Sequence, residues 1–275
     1  MKTGRIGKLT VSLSVVILAF ILVKLNFIET KDKKEHELGA LIENKQHLSL
    51  IPDFASIPLV SDKKQAFFDY LRPWVRLQNG IISDERLFLQ RSLQHINDGL
   101  TLTDAEYFRI EEISNKYQYS PRAINAETLQ KLLVRADIIP ESMVLIQAAN
   151  ETGWGSSRFA REGLNFFGQW CFRKGCGLVP QSRTSGMSHE VAVYKTVEDS
   201  VASYMRNLNS NGAYALLRSI RADMRAQNKE PTADELVYGL VNYSERQEAY
   251  IDELLEMLRH NKQYLVGNNE EKPSV

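Results

Sequence analysis

The chain has 275 residues, 43% of them apolar and 25% charged, which is enough to bury a core and excludes a disordered or low-complexity protein. Formal net charge is zero; past residue 28 the remainder carries 30 basic against 34 acidic side chains, a mildly acidic body that argues against nucleic acid as the main partner. Two cysteines and five scattered histidines (His36, His47, His95, His189, His260) exclude a dense disulfide framework and give no metal-ligand spacing, so no metal and no cofactor is expected.

In chain order, Lys2, Arg5 and Lys8 precede an apolar run, Leu9 to Ile28, long enough to cross a bilayer as a helix. Lys24 near its far end can snorkel to the interface. With the basic residues kept inside and no convincing cleavage site after the run, residues 9–28 read as an uncleaved single-pass signal anchor. Residues 1–8 are then cytoplasmic and the body exported. Residues 29–60, charged at first and holding Pro52 and Pro58, read as a linker.

From Ser61 a helical pattern begins, with Phe67, Phe68, Leu71, Trp74, Val75 and Leu77 on one face and Pro73 expected to kink or end it. Ser83 opens a second helix through Arg86-Leu87-Phe88-Leu89. Thr103-Asp104-Ala105-Glu106 is a capping box for a third, carrying Phe108, Ile110 and Ile113. Thr128 to Arg135 is a fourth. The run Ser142 to Asn150 is apolar on nearly every side, which predicts a helix buried in a core. Pro140 stands at its start, and Gly153 stands where helices stop. That places Glu151 in the last turn, where burial and the negative end of the helix dipole both favour the protonated acid. A general acid for neutral pH is prepared in this way.

Residues 171–195 change character. Gly175, Gly177, Pro180 and Gly186 punctuate short segments, and His189 to Tyr194 alternates, which predicts a β-hairpin. Cys171 and Cys176, in an exported body, are expected to form a local disulfide. Three more helices follow, opened by Thr196 to Asp199, by Thr232 to Glu235 and by Ser244 to Gln247. The polar tail, residues 266–275, is expected to be disordered. The fold class is thus mainly α with one small β element.

The residues Ala148-Ala149-Asn150-Glu151-Thr152-Gly153-Trp154-Gly155, then Ser157, then Asn165-Phe166-Phe167-Gly168, resemble the glycoside hydrolase family 73 N-acetylglucosaminidase domain, in its bacterial Bax-like branch. The resemblance covers about residues 125–262, and more weakly residues 61–120 as the helical lead-in of that branch. It implies a lysozyme-like α+β fold over residues 121–265 and peptidoglycan glycan strands as substrate. With the anchor, it places the catalytic domain in the periplasm on a bacterial inner membrane.

Glycoside cleavage needs an acid on the leaving oxygen, the role expected of Glu151. The resemblance gives Tyr243 a place across the cleft from that acid. Tyr250, at helical spacing with Leu254, reads as packing. Gly153 and Gly155 are expected to let backbone approach the sugar. Trp154 is either a sugar platform or, as preferred, an anchor under the turn. Asn165 and Gly168 are expected to build the opposing wall. Glu190 is the best candidate for a second carboxylate, ahead of Glu198 and Asp199. Without one, the N-acetyl oxygen of the substrate supplies the nucleophile. Two other readings share these residues: a lytic transglycosylase, and a cell-wall-binding protein without activity.

Overall fold

The computed structural model describes residues 51–180 and 189–265. The expected anchor, most of the linker and the tail lie outside them. Among the described residues no helix is long and apolar enough to cross a membrane.

One compact unit starts at Pro52, inside the expected linker. A 3-10 turn over Phe54–Ser56 buries Phe54 against Phe67 and Tyr70, at 5.3 and 5.7 Å between ring centres. The end of the expected linker is therefore core.

Helix α1 runs unbroken over Val60–Asn97, roughly 57 Å long. No boundary falls at Pro73, and the expected second start at Ser83 is corrected. A proline inside a helix costs about 3 kcal/mol. Phe67, Phe68, Leu71, Trp74 and Val75 are all buried around it, each contributing about 1.5–3 kcal/mol, so packing outweighs the lost hydrogen bond. Arg72, next to the proline, adds a tie. Its guanidinium pairs with Glu141 and donates to the Tyr264 carbonyl at 2.7 Å. Leu77, assigned to the inner face, is exposed.

Helix α2, Asp104–Lys116, starts at the expected capping box on Thr103 and buries Ile110 and Ile113, while Phe108 points outward. Helix α3, Ala126–Arg135, is capped by Asn125. Helix α4, Glu141–Thr152, is the buried one: Met143 through Ala149 are all inaccessible, and Gly153 ends it in the left-handed conformation. A short α5, Arg158–Gly163, follows.

The expected hairpin is a three-stranded antiparallel sheet with the last strand in the middle. β1 is Trp170–Cys171, β2 Gly177–Leu178 and β3 Glu190–Ala192. Cys171 pairs with Glu190 and Leu178 with Val191.

Helix α6, Val197–Ser210, starts at a capping box on Thr196 and buries Val197, Val201, Tyr204, Met205 and Leu208, the face its spacing predicts. Helix α7, Ala215–Ala226, escapes an apolar-period reading because two of its buried residues are Arg218 and Arg221. Arg221 donates to the carbonyls of Val134, Arg135, Asp137 and Ile138, so a fully buried guanidinium satisfies the end of α3. A short α8, Ala233–Leu236, runs into a 3-10 turn. Helix α9, Glu248–His260, begins after Gln247 rather than at Ser244, and α10, Lys262–Leu265, closes the described chain.

Candidate active site

Helix α4 carries Glu151 out of the core to the floor of a cleft of about 1130 Å³. Its backbone is held on both sides. Thr152 Oγ1 donates to the Ala148 carbonyl at 2.6 Å and accepts the Gly155 N–H at 2.8 Å, so the glycine turn folds back on the helix end. The carboxyl is half-buried. Desolvation pushes its pKa above the ordinary carboxylate range, and the Glu253 charge acts in the same sense. A hydrogen bond from Tyr250 and the Arg246 charge pull the other way without reversing it.

A polar relay reaches Glu151 from behind. Tyr204 donates to Gln147 Oε1, Gln147 Nε2 donates to Tyr250 at 3.0 Å, and the Tyr250 hydroxyl donates to Glu151 Oε1 at 2.9 Å. Tyr250 is therefore a direct partner of the acid, which corrects its reading as packing. The signal for this relay was in the sequence: Gln147 is an amide in the middle of an apolar run, and a buried amide must find partners. Which residues those are depends on contacts between distant parts of the chain.

Tyr243 lines the cleft, stacks on Tyr250 with ring centres 5.6 Å apart, and donates to the Phe167 carbonyl at 2.6 Å. Burial and the nearby Glu151 charge hold its phenol protonated. Gly168 also lines the cleft. Its φ is +61°, and a Cβ there would lie 3.2 Å from Glu151 Oε2, so the position suits glycine on both counts.

Asn165 has a different place from the one expected. It is buried beneath the wall, donating to the carbonyls of Gln169 and Ala192 and accepting the N–H groups of Phe167 and Gln169. It fixes the Asn-Phe-Phe-Gly turn to β3. Gly153 and Trp154 line a separate cavity of about 510 Å³ with Lys64, Glu256 and His260. Trp154 packs edge-on against Phe67 and Phe68, which is anchoring rather than a face toward Glu151. Gly155 packs beneath the turn as well. A Cβ there would strike the Phe54 ring at 2.4 Å.

Glu190 is the clearest departure. It is buried, and its two carboxylate oxygens accept the N–H groups of Gly175 and Gly177 at 3.0 and 2.8 Å. The Cys171–Cys176 disulfide closes the same loop. Glu190 thus organises that loop and is not among the residues lining the Glu151 cleft. The acids that do line it, among the described residues, are Glu151 and Glu245. The Asp199 carboxylate accepts the Thr196 N–H at 3.2 Å, and Thr196 Oγ1 accepts the Asp199 N–H in return, so Asp199 is spent on the cap of α6. The grouping of metal-ligating residue types among the described residues is Cys171, Cys176 and Glu190, and the bonded sulfurs leave it one carboxylate.

Sequence reasoning also passed over Trp170 and Phe172, exposed aromatics at the cleft edge. A cleft of this size with one desolvated acid, a tyrosine beside it and aromatic edges has the composition of a glycan-cutting site.

Comparison with known proteins agrees with that class. Residues 126–263 match the glucosaminidase family, described as mannosyl-glycoprotein endo-beta-N-acetylglucosaminidase. The chain is 33% identical over 229 residues to protein bax of Escherichia coli (strain K12), covering 82% of this chain and 79% of that protein. No solved structure matches. The chain belongs to the glucosaminidase family, whose function is of the glycoside hydrolase kind.

Proposed function

We propose that this protein hydrolyses the glycan of peptidoglycan after N-acetylglucosamine, with Glu151 as general acid. The observation that carries the reading is the state of that carboxyl: half-buried at the end of a buried helix, facing a long cleft, with its pKa raised by desolvation. An acid whose pKa is raised holds its proton to higher pH and can donate it to the bridging oxygen as the bond to the sugar ring breaks. Tyr250 holds the carboxyl in place, and Tyr243 stacks on Tyr250 and steadies the opposing turn. Trp170 and Phe172 offer apolar faces for sugar rings.

With Glu190 committed to its loop, the second group in this reading is the substrate's own N-acetyl oxygen, which attacks the anomeric carbon from within the sugar. The fold is read as lysozyme-like. The apolar run at residues 9–28 supports attachment to the inner membrane with the cleft in the periplasm.

The test is a gel embedded with peptidoglycan, followed by mass spectrometry of the released fragments. Clearing by the native protein, absent in Glu151→Gln, with reducing N-acetylglucosamine ends, is the expected result. Anhydro-muramic ends would instead assign a lytic transglycosylase. Binding to cell walls without clearing would make this a wall-binding module. Release of glycan from a mannosyl glycoprotein with no action on peptidoglycan would move the substrate to the one in the family's description.

A further inference from the structure

We propose that Tyr204, three hydrogen bonds away from Glu151, is a positioning residue for the acid. Acting through Gln147 and Tyr250, it keeps the proton of neutral Glu151 on Oε2, the oxygen on the cleft side. The proposal rests on reading Glu151 as the general acid, and it adds how that proton is held where a substrate can take it.

The observation is a chain of three buried side chains from three helices. Gln147 stands one turn before Glu151 on α4, Tyr204 is on α6 and Tyr250 is on α9. All three are shut off from solvent, so no water replaces a partner that turns away. Tyr204 donates to Gln147 Oε1, Gln147 Nε2 donates to Tyr250 at 3.0 Å, and Tyr250 donates to Glu151 Oε1 at 2.9 Å. The other carboxyl oxygen, Oε2, lies against Gly168, which lines the cleft.

Both neighbours of the amide are hydroxyls, and a hydroxyl donates or accepts, so neither alone sets which way Gln147 is turned. The ends of the chain set it. An ionised Glu151 only accepts, so Tyr250 donates to it and its own oxygen is left to accept. That turns Nε2 of Gln147 toward Tyr250 and Oε1 toward Tyr204. At the far end, the buried Tyr204 hydrogen needs an acceptor. An amide turned round would offer it Nε2, which has no lone pair to give. One setting therefore suits both ends. In the reversed setting Tyr250 donates to Gln147 and accepts from a proton on Oε1, and the acid is turned from the cleft.

Other groups bear on Glu151 without choosing its oxygen. Arg246 and Glu253 alter how readily the proton leaves. The Tyr243 phenol is spent on the Phe167 carbonyl, and that of Tyr214 on Asn207. When neutral Glu151 reacts, the Oε2 proton passes to the bridging oxygen. The bond from that oxygen to the anomeric carbon breaks, and its electron pair stays on the oxygen. The carboxylate left behind already holds the Tyr250 hydrogen on Oε1, and no proton crosses the chain.

The test is infrared spectroscopy of the full chain on the acid side of the Glu151 titration, beside steady-state kinetics. Subtracting the Glu151→Gln spectrum isolates the carbonyl stretch of the neutral acid. A carbonyl oxygen that accepts from a phenol absorbs at lower frequency than one that does not, and Tyr250→Phe supplies the frequency without the phenol. The native protein is expected to show one band, below that reference. Tyr204→Phe keeps the ring that stacks on Phe167 and removes the hydrogen that holds the amide. It is expected to add a second band at higher frequency and to lower kcat about five-fold, the worth of one net hydrogen bond, with KM unchanged. In a Gln147→Met background the link is cut, so Tyr204→Phe should there change neither the band nor kcat. A merely structural tyrosine would cost the same in both backgrounds. Equal losses in the two backgrounds, or a single low band in Tyr204→Phe, overturn the proposal. The native spectrum decides even where Tyr204→Phe does not fold, since a native band at the Tyr250→Phe position overturns it as well. Cutting by Glu151→Gln, with the bands as expected, sinks the acid reading and leaves the placement of the proton standing.

Discussion

The end of α4 and the disulfide loop each withdraw one glutamate from water and then treat it differently. At Glu190, each carboxylate oxygen accepts a backbone N–H and the Cys171–Cys176 bridge closes the loop around it. At Glu151, one oxygen receives a single phenol and the other lies against Gly168, where there is no side chain to meet it. Burial without full hydrogen bonding leaves the anion poorly supported, which is what raises the pKa of Glu151. A well-provided carboxylate builds structure. An underprovided one, opening on a cleft, has a proton to give.

The sharpest way to break this comparison is to change both residues to glutamine. Glu151→Gln is expected to lower activity by about 10²–10⁴-fold in a fragment-release assay. It is also expected to raise the melting temperature at neutral pH. The sign follows from linkage: a carboxyl whose folded pKa is raised binds more protons folded than unfolded, so native stability falls as pH climbs from the unfolded value through the folded one. The amide has no proton to lose and escapes that penalty. Glu190→Gln should do the reverse. One backbone N–H would face an amide N–H, which costs about 1–3 kcal/mol and lowers the melting temperature, while activity falls only as far as the loop is disturbed. If Glu190→Gln melts like the native protein yet is as inactive as Glu151→Gln, the loop glutamate belongs to the chemistry and the contrast is void.

Tyr250→Phe sharpens the same contrast with a smaller effect, about ten-fold in rate. The lost phenol favours the anion, so its removal is expected to raise the Glu151 pKa further. Since the acid must be protonated to act, the alkaline limb of the kcat profile should then move to higher pH. A limb that moves to lower pH would mean that the phenol favours the neutral acid. Gln147 also loses its acceptor in this variant, which is expected to cost about 1–3 kcal/mol of stability.

How much of this was legible in the sequence depended on whether the signal was local. The buried helix ending in Glu151, the glycine stop, and the capping boxes at Thr103 and Thr196 are short-range patterns, and the structure keeps them. The continuity of α1 past Pro73 and Ser83 was not legible because local boundary signals were weighed without the aromatic packing around them. Helix α7 went unseen because part of its buried face is arginine. Asn165, Trp154 and Glu190 belong to the right motifs, but motif membership does not say which way a side chain points. Tyr250 reaches Glu151 across 99 residues of sequence, and no spacing rule carries that far.

The smallest effect is expected at Glu245, and it bears on the second group of the reaction. Glu245 lines the cleft, but it is exposed, and the side-chain charges that act on Glu151 are those of Arg246 and Glu253. If the substrate's acetamido oxygen attacks, the protein needs no second carboxylate at the ring, and Glu245→Gln should keep activity within about three-fold of native. A base in an inverting reaction is indispensable, because it takes the proton of the attacking water as the bond breaks. A loss near that of Glu151→Gln, with product released as the α-anomer by polarimetry or NMR, would therefore make Glu245 that base. Activity near native with β-anomeric product leaves the acetamido group as the nucleophile, and the same glycan with its acetyl groups removed should then resist cleavage.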